Sequence, residues 1–402
     1  MRTAVIAAAI LCFSIYIFAG QFASVDAIRS PARENLCDEL IIPAGYPCTD
    51  YTVQTRDGYL LGLQRISSRN VGLRLQRGPP VLLQHGLFMA GDAWFLGAPE
   101  QSLGYLLADQ GFDVWAGSVR GTFLSHGHVT LSEKDKEFWD WTWEDMALYD
   151  LSAMIGHIYS TTNSKVFVVG HSQGTIMSWA AFTQPNIVEM VQAAALLCPI
   201  SYLKHITAPL PVGMVAMHLD QMILGMGIHQ LDFKRQPLID LIDFVCGGHI
   251  ECNDILAAIT GPNCCMNMTH LDFFFNYEPH PTSSKNMHHL FQMIRQGTFA
   301  RYDYGILKNM RMYGQNKPPV FDLRMIPKSL PIWLGYGGSD GLADITDVMH
   351  TYNELPSKPQ LHYLEHYGHV DFLFSTSAKE DVFDDLIAFF RSVGNNTSSS
   401  SF

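Results

Sequence analysis

The sequence predicts an α/β protein whose mostly parallel sheet is covered by helices and interrupted by an inserted helical cap subdomain. Buried strands alternate with helical patterns up to about residue 200 and again from 329, as in parallel sheets with helices on both faces. Between 201 and 328 this alternation stops, and apolar residues recur at helical spacing instead. At 170–174 a G-x-S-x-G motif joins a buried strand to a helix.

These observations divide the chain into five segments. We expect a signal peptide at 1–27, the N-terminal part of the α/β core at 28–200, a cap at 201–328, the C-terminal part of the core at 329–393 and a disordered tail at 394–402.

The first segment has the layout of a secretory signal. Met1 and Arg2 precede an apolar run from 4 to 19, and small residues follow as far as Ala27. A membrane anchor is the alternative, but the run is short for a span, and no later stretch of 18 uncharged apolar residues follows. The expected route is therefore the secretory pathway, with the cell exterior as destination and a lysosome or vacuole as the alternative.

Apolar runs bounded by turn residues define the elements of the core. In order they are a hairpin around Asp57 and Gly58, strands at 79–88, 112–116, 166–169 and 191–197, and helices at 101–110, 139–160 and 175–182. After the cap, strands are expected at 330–336 and 360–365, and a final helix at 382–390.

The cap sequence is rich in methionine, whose flexible side chain suits a greasy, variable ligand or simply fills the cap's own core. The residues concerned are Met214, Met217, Met222 and Met226.

Composition excludes several classes of function. With 402 residues and 48% apolar content, the chain can bury a large core. A formal charge of -12, without a long basic cluster, argues against nucleic acid and against an anionic membrane as a polyelectrolyte partner.

Seven cysteines remain after the predicted signal, so at least one is unpaired in an oxidising compartment. Cys37 and Cys48 flank a short loop and are disulfide candidates, as are Cys246 and Cys252, although spacing alone does not give connectivity. Cys198 ends an apolar run and is expected to be a buried free thiol. The adjacent Cys264 and Cys265 cannot bond to each other without strain, so we expect one disulfide to another cysteine plus a spare thiol; a metal site is not expected, because zinc-ligand spacing is absent. Sequons lie at Asn267, Asn395 and Asn396.

The motif at 170–174 predicts a nucleophile. A strand, a sharp turn and a helix lift the hydroxyl of Ser172 out of the chain, and the flanking glycines avoid steric clashes in that turn. A plain glycine-rich turn is the structural alternative.

A serine hydroxyl needs an imidazole to take its proton and a carboxylate to orient that imidazole. Asp340 follows a strand in a glycine-rich turn, and His369 follows the last strand through a loop with Gly368. The competitors are Asp344, better suited to a helix N-cap, and His366, closer to the strand.

The tetrahedral intermediate also needs two hydrogen-bond donors for its oxyanion. We expect these donors to be the backbone N–H groups of Gln173 and Leu87. Leu87 lies in the loop after the strand at 79–88, and Phe88 is the alternative to it. His85 and Gly86 are expected to shape this loop.

Six short motifs are spread over nearly the whole mature chain: G-Y-P at 45–47, D-G-Y at 57–59, H-G-L at 85–87, G-H-S-Q-G at 170–174, G-G-S-D at 337–340 with L-A-D at 342–344, and Y-G-H-V-D-F at 367–372. Together they resemble the acid lipase family of gastric lipase and lysosomal acid lipase, in the variant typical of plant triacylglycerol lipases. The resemblance implies an α/β-hydrolase fold that cleaves triacylglycerols or steryl esters at a lipid–water interface without a cofactor or metal. It also implies a cap disulfide, for which Cys246 and Cys252 lie in the matching place.

The leading hypothesis is therefore a secreted, monomeric serine lipase acting on neutral lipid esters. The alternative enzyme is a carboxylesterase or lysophospholipase for shorter or more soluble esters. A catalytically silent binding protein predicts a broken triad, whereas every position is filled here.

Overall fold

The computed structural model describes residues 35–233, 252–266 and 271–398. At its centre is a nine-stranded sheet with the spatial order β1-β2-β4-β3-β6-β7-β10-β11, and β5 pairs with β2. The strands of this sheet are β1 (Cys48–Gln54), β2 (Tyr59–Ile66), β3 (Pro80–Gln84), β4 (Asp113–Gly117), β5 (Gly127–His128), β6 (Val166–His171), β7 (Val191–Leu197), β10 (Ile332–Gly337) and β11 (Gln360–Leu364).

The six strands from β4 to β11 in this order are parallel, whereas β1 and β2 form the predicted antiparallel hairpin. Every residue of β3, β4, β6 and β10 is buried, which requires cover on both faces of the sheet. The predicted α/β class is confirmed. Because parallel strands end at the same edge, the loops after β3, β6, β10 and β11 meet there.

The helices of the core lie close to their predicted positions. The long helix predicted at 139–160 begins only after Thr142, whose hydroxyl accepts from the Glu144 N–H in a capping box, and it contains a π-helical section. The core helices are α1 (Val71–Gln76), α2 (Leu103–Asp109), α3 (Trp143–Asp145), the π section Met146–Leu151, α4 (Ser152–Thr162), α5 (Gln173–Phe182) and α6 (Pro185–Val188).

The segment predicted as a cap is mostly helical where it is described. Its elements are α7 (Pro209–Ala216), α8 (Leu219–Gly225), α9 (Cys252–Thr260), α10 (Leu271–Tyr277), α11 (Ser284–Gln296), α12 (Ile306–Tyr313) and a small antiparallel sheet of β8 (Gln230–Leu231) and β9 (Thr282–Ser283). Two of the four methionines singled out in the sequence are packed and two are exposed. Met214 packs against the main core and Met226 against a small apolar cluster, whereas Met217 and Met222 are exposed.

The C-terminal part of the core ends in α13 (Ile345–Glu354), α14 (Asp371–Phe374), the π section Lys379–Phe383 and α15 (Asp384–Ser398). α15 continues to Ser398, and Val393 packs against the core just before the expected boundary at 394. The disordered tail expected at 394–402 stays a prediction.

Two disulfides are present in the described ranges. Cys37 bonds to Cys48, as the sequence predicts, and Cys198 is a buried free thiol, as predicted. The expectation for the adjacent cysteines is wrong: Cys264 bonds to Cys265. Four candidates are not decided. Cys246 and Asn267 lie outside the described residues, so neither the Cys246–Cys252 pairing nor the sequon at Asn267 is tested. The sequons at Asn395 and Asn396 lie in α15, with Asn395 exposed.

A buried arginine explains the D-G-Y motif of the hairpin turn. The Arg120 guanidinium donates to the Asp150 carboxylate at 2.5 Å and to the Asp57 carboxylate at 2.6 Å, and it lies over the Tyr59 ring. The motif therefore fixes the hairpin to the loop that follows β4.

Replacing Arg120 with methionine is expected to lower the free energy of unfolding by about 3–5 kcal/mol, because the buried Asp150 carboxylate loses its counter-charge. Urea unfolding followed by circular dichroism measures this. The matched control is Arg69→Met, which breaks a solvent-exposed pair with Asp109 and should cost at most about 1 kcal/mol. If both variants lost the same free energy of unfolding, the Arg120–Asp150 pair would not have the stabilising role assigned to it here.

Candidate active site

Ser172 lies in a strained turn between β6 and α5. Its φ is +53°, in the left-handed region that non-glycine residues rarely adopt, and its N–H donates to the Leu197 carbonyl at the end of β7. This conformation holds the hydroxyl at the carboxyl edge of the sheet, as the motif predicts.

The two glycines of the motif are required by close approaches. A Cβ on Gly174 would lie 2.5 Å from the Gln84 carbonyl oxygen, and one on Gly170 would lie 3.1 Å from the Gly174 carbonyl oxygen. Any side chain at 174 would separate the nucleophile's helix from β3.

The structure brings the three predicted side chains together. His369 Nε2 lies 2.8 Å from Ser172 Oγ, and His369 Nδ1 lies 2.9 Å from Asp340 Oδ2. All three residues are buried. The imidazole is thus within hydrogen-bond reach of both partners, with its Nδ1 proton directed to the carboxylate.

Asp340 is held as an anion. Burial alone would raise the pKa of its carboxyl group, but the His369 imidazole and the hydrogen bonds from His369, Ala343 and Leu342 outweigh burial and lower it. The Leu342 and Ala343 amides both donate to Oδ1 at 2.8 Å. The carboxylate is therefore oriented by the turn in which it sits.

The two competitors occupy other positions. Asp344 caps α13 and accepts from the Thr346 N–H at 2.7 Å, as its N-cap interpretation predicts. His366 is exposed in the loop after β11.

The loop after β3 lies directly against the nucleophile. A Cβ on Gly86 would lie 3.1 Å from Cβ of Ser172, and Phe88 has a φ of +60°. His85 Nδ1 donates to the Gly86 carbonyl at 2.8 Å, and its Nε2 accepts from the Val119 N–H at 3.1 Å. Burial lowers the pKa of His85 to about 4, consistent with this neutral tautomer.

Comparison with known proteins identifies the family to which this arrangement belongs. Residues 37–98 match the model of the partial α/β-hydrolase lipase region, and residues 79–223 match that of the α/β hydrolase fold. The chain is 63% identical over 357 residues to triacylglycerol lipase 1 of Arabidopsis thaliana, covering 89% of this chain and 90% of that protein. The chain belongs to the α/β-hydrolase lipase family.

More distant relatives confirm the resemblance inferred from the motifs. This lipase-family chain is 37% identical to triacylglycerol lipase 2 of Arabidopsis thaliana (90% and 88% of the two chains) and 31% identical to rat gastric triacylglycerol lipase (92% and 94%). Among solved structures, yeast monoglyceride lipase with a substrate analog aligns with a TM-score of 0.51 at 14% identity, covering 85% and 94% of the two chains. That likeness supports the fold alone.

Two residues that the sequence did not assign to this lipase site hold the backbone of His369. The His171 Nε2–H and the Cys198 thiol both donate to the His369 carbonyl, at 3.1 and 3.2 Å. Burial lowers the pKa of His171 to about 3, so the ring is neutral and one nitrogen carries the single proton. The sequence places both residues at strand ends, but it does not show that they converge on one carbonyl.

Replacing His171 with leucine is expected to lower kcat by about 5- to 150-fold with little change in KM, because the buried His369 carbonyl loses a donor and the imidazole beside Ser172 shifts. His171→Gln retains a donor at a similar position and should lose less than tenfold. Steady-state kinetics on a soluble nitrophenyl ester measures both. A folded leucine variant with wild-type kcat would refute this role.

The loop of His369 is also attached to residues 262–265. Asp371 accepts backbone N–H groups from Gly368 at 2.7 Å, Cys264 at 2.9 Å and Cys265 at 3.1 Å. A Cβ on Gly368 would lie 2.0 Å from the Pro262 carbonyl oxygen, so only glycine allows this approach. The two cysteine amides therefore share one carboxylate as their acceptor.

Phe88 packs against apolar residues of the 201–328 segment. Ile223 and Leu231 form a small buried cluster there, and the Phe233 ring lies 5.0 Å from the Phe88 ring, centroid to centroid. An apolar surface therefore borders the loop next to the nucleophile.

A second acidic and histidine cluster lies behind this loop. Asp92, Glu278 and His280 each place one potential metal ligand atom within 4.8 Å of the others. However, His280 Nδ1 accepts from the Phe123 N–H at 3.2 Å, so Nε2 carries the proton and donates to Asp92 at 3.0 Å. The imidazole therefore has no lone pair to offer a metal in this arrangement.

Proposed function

We propose that this protein hydrolyses carboxylic esters of neutral lipids, with triacylglycerol as the principal substrate and steryl esters as a further one, through an acyl-enzyme on Ser172. The observation that carries the proposal is the unbroken line of hydrogen bonds from Ser172 Oγ through His369 to Asp340. The name of the relative at 63% identity, triacylglycerol lipase 1, supports the substrate class.

The chemistry follows from the positions of the atoms. His369 Nε2 takes the hydroxyl proton as Ser172 Oγ attacks the acyl carbonyl, and Asp340 stabilises the imidazolium that forms. The imidazolium then protonates the leaving alkoxide, and water, activated by the same imidazole, releases the fatty acid. We assign the oxyanion donors to the N–H groups of Leu87 and Gln173. Gln173 is the first residue of α5, so its N–H has no acceptor within the helix.

A long acyl chain fits the apolar surroundings better than a polar group does. The Phe88 ring and its cap neighbours offer hydrocarbon contacts next to the reacting carbonyl, and each buried methylene contributes about 0.8 kcal/mol. We propose that the segment 201–328 acts as a cap over the α/β core formed by 28–200 and 329–393.

The test is to incubate the purified protein with triolein, cholesteryl oleate and nitrophenyl butyrate between pH 4 and 8. We expect the rate on emulsified triolein to rise steeply once the lipid exceeds its solubility limit. A preference for the soluble butyrate, with no gain at the lipid surface, would instead support the carboxylesterase or lysophospholipase alternative.

We also propose that the chain enters the secretory pathway after removal of 1–27 and works as a monomer, outside the cell or in a vacuole or lysosome. The Cys37–Cys48 disulfide supports an oxidising compartment. None of the helices in the described ranges is long and apolar enough to cross a bilayer. N-terminal sequencing and light scattering of the exported protein test cleavage and oligomeric state.

A further inference from the structure

We propose that His280, a cap residue far from the triad in sequence, is a positioning residue for the oxyanion loop, which we define as residues 86–90. The inference rests on the ester hydrolysis proposed for Ser172. It assigns His280 no contact with the substrate and no proton transfer.

His280 joins three separate parts of the chain. Its backbone N–H donates to the Phe88 carbonyl at 2.7 Å, inside the oxyanion loop. Its ring accepts from the Phe123 N–H at 3.2 Å and donates to the Asp92 carboxylate at 3.0 Å. Asp92 lies in the 3-10 helix Gly91–Phe95, which follows the oxyanion loop directly.

The oxyanion loop needs such support because its conformation is strained. Phe88 has a φ of +60°, which costs a bulky residue free energy and persists only where neighbours enforce it. The other end of the loop is already fixed, since His85 holds the Val119 N–H. His280 and Asp92 supply the corresponding restraint at the Phe88 end, one residue from the proposed donor Leu87.

The state of the imidazole follows from its partners. An Nδ1 that accepts a backbone N–H carries no proton, so the proton lies on Nε2, facing Asp92. Glu278 Oε2, 3.8 Å from Nε2, adds a second carboxylate on the same side. The ring is completely buried and held in one orientation.

A small displacement of this loop is expected to reduce catalysis. Gly86 packs against Cβ of Ser172, so a shift of the loop moves the Leu87 N–H relative to the reacting carbonyl. Donors stabilise the oxyanion only at about 2.7–3.1 Å, and loss of one donor typically lowers kcat by about 10²- to 10³-fold. A misplaced donor should cost part of that factor.

Three variants separate positioning from mere stability. His280→Gln keeps a donor that reaches Asp92 but loses the acceptor for Phe123. His280→Asn keeps that acceptor but loses the donor, and His280→Leu loses both. The matched control is His289→Gln, at another fully buried cap histidine, whose Nε2 pairs with the Ala300 carbonyl at 3.0 Å, away from the loop.

We expect kcat on nitrophenyl butyrate to fall about 10- to 100-fold in His280→Leu and His280→Asn, with KM within about threefold of wild type. His280→Gln should recover most of the loss, and His289→Gln should lower the melting temperature without lowering kcat. Affinity for an alkyl boronic acid, which mimics the tetrahedral intermediate, should fall in parallel with kcat.

The proposal is overturned if a folded His280→Asn retains wild-type kcat, if His280→Gln loses as much kcat as His280→Asn, or if His289→Gln reduces kcat as much as His280→Asn does. If His280→Leu fails to fold, the Asn and Gln pair alone decides. A wild-type protein without esterase activity would instead refute the proposed function, so the two failures are distinguishable.

Discussion

The variant Ser172→Ala is expected to lose about a millionfold in kcat on any carboxylic ester, while its melting temperature stays close to that of the wild type. The hydroxyl is the atom that forms the acyl-enzyme, and the remaining groups of the site cannot replace it. Only the background from substrate binding and oxyanion stabilisation should remain.

A matched serine on the same helix provides the control. Ser178 is also buried, and its hydroxyl donates to the Gly174 carbonyl at 2.7 Å, so Ser178→Ala removes one hydrogen bond without touching the triad. It should keep kcat within about tenfold of wild type, for a loss of about 1 kcal/mol in stability. Labelling with a fluorophosphonate should fail in Ser172→Ala and succeed in Ser178→Ala. Substantial ester turnover by Ser172→Ala would place the chemistry elsewhere.

The variant Asp340→Asn is expected to lower kcat by about 10⁴-fold, because it reverses the tautomer of His369. The amides of Leu342 and Ala343 both donate to Oδ1, so the asparagine oxygen takes that position and its NH₂ group faces His369. The ring then accepts at Nδ1 and carries its proton on Nε2, where it cannot take the proton of Ser172.

Asp344→Asn is the matched control, since it removes the same charge from the N-cap four residues further along. It should cost less than about 1 kcal/mol in stability and leave kcat nearly unchanged. Steady-state assays on nitrophenyl butyrate measure kcat for both variants. Comparable losses of kcat in the two variants would exclude Asp340 as the orienting acid.

The lowered pKa of Asp340 predicts how the stability difference between the wild type and Asp340→Asn depends on pH. A carboxyl group whose folded pKa lies below its unfolded value, about 3.9, contributes stability that is fully present above that value and is lost as the pH falls through the folded pKa. The stability difference between wild type and Asp340→Asn should therefore be constant from pH 8 to about pH 5 and shrink only in stronger acid. A difference that already disappears at pH 6 would contradict the lowered pKa.

Local pattern was enough to predict the strands of the core and to select three side chains that the structure joins through hydrogen bonds. Each of the three positions is marked by a pattern of only a few residues: an apolar run before Ser172, a glycine-rich turn around Asp340 and a glycine before His369. The family resemblance implied an α/β-hydrolase fold, and the fold class is confirmed.

The hydrogen bonds that hold the backbone around the site could not be predicted from the sequence, because they join residues that are far apart in the chain. The meeting of His171 and Cys198 at one carbonyl depends on the pairing of β6 with β7, and the hydrogen bond from His280 to Phe88 spans almost two hundred residues. The expectation that Cys264 and Cys265 do not bond to each other was also wrong, and the sequence did not show that both of their amides donate to Asp371, more than one hundred residues away.

The attachment of the His369 loop to residues 262–265 has a consequence for protein engineering. Val370 donates to the Asn263 side chain, and Asp371 binds the next two amides, so a chimera that exchanges the whole 201–328 segment also exchanges the scaffold of its general base. Chimeras intended to change substrate preference should therefore keep residues 262–265 of this chain. Alternatively, they should take both the 262–265 segment and the 367–372 loop from the other lipase.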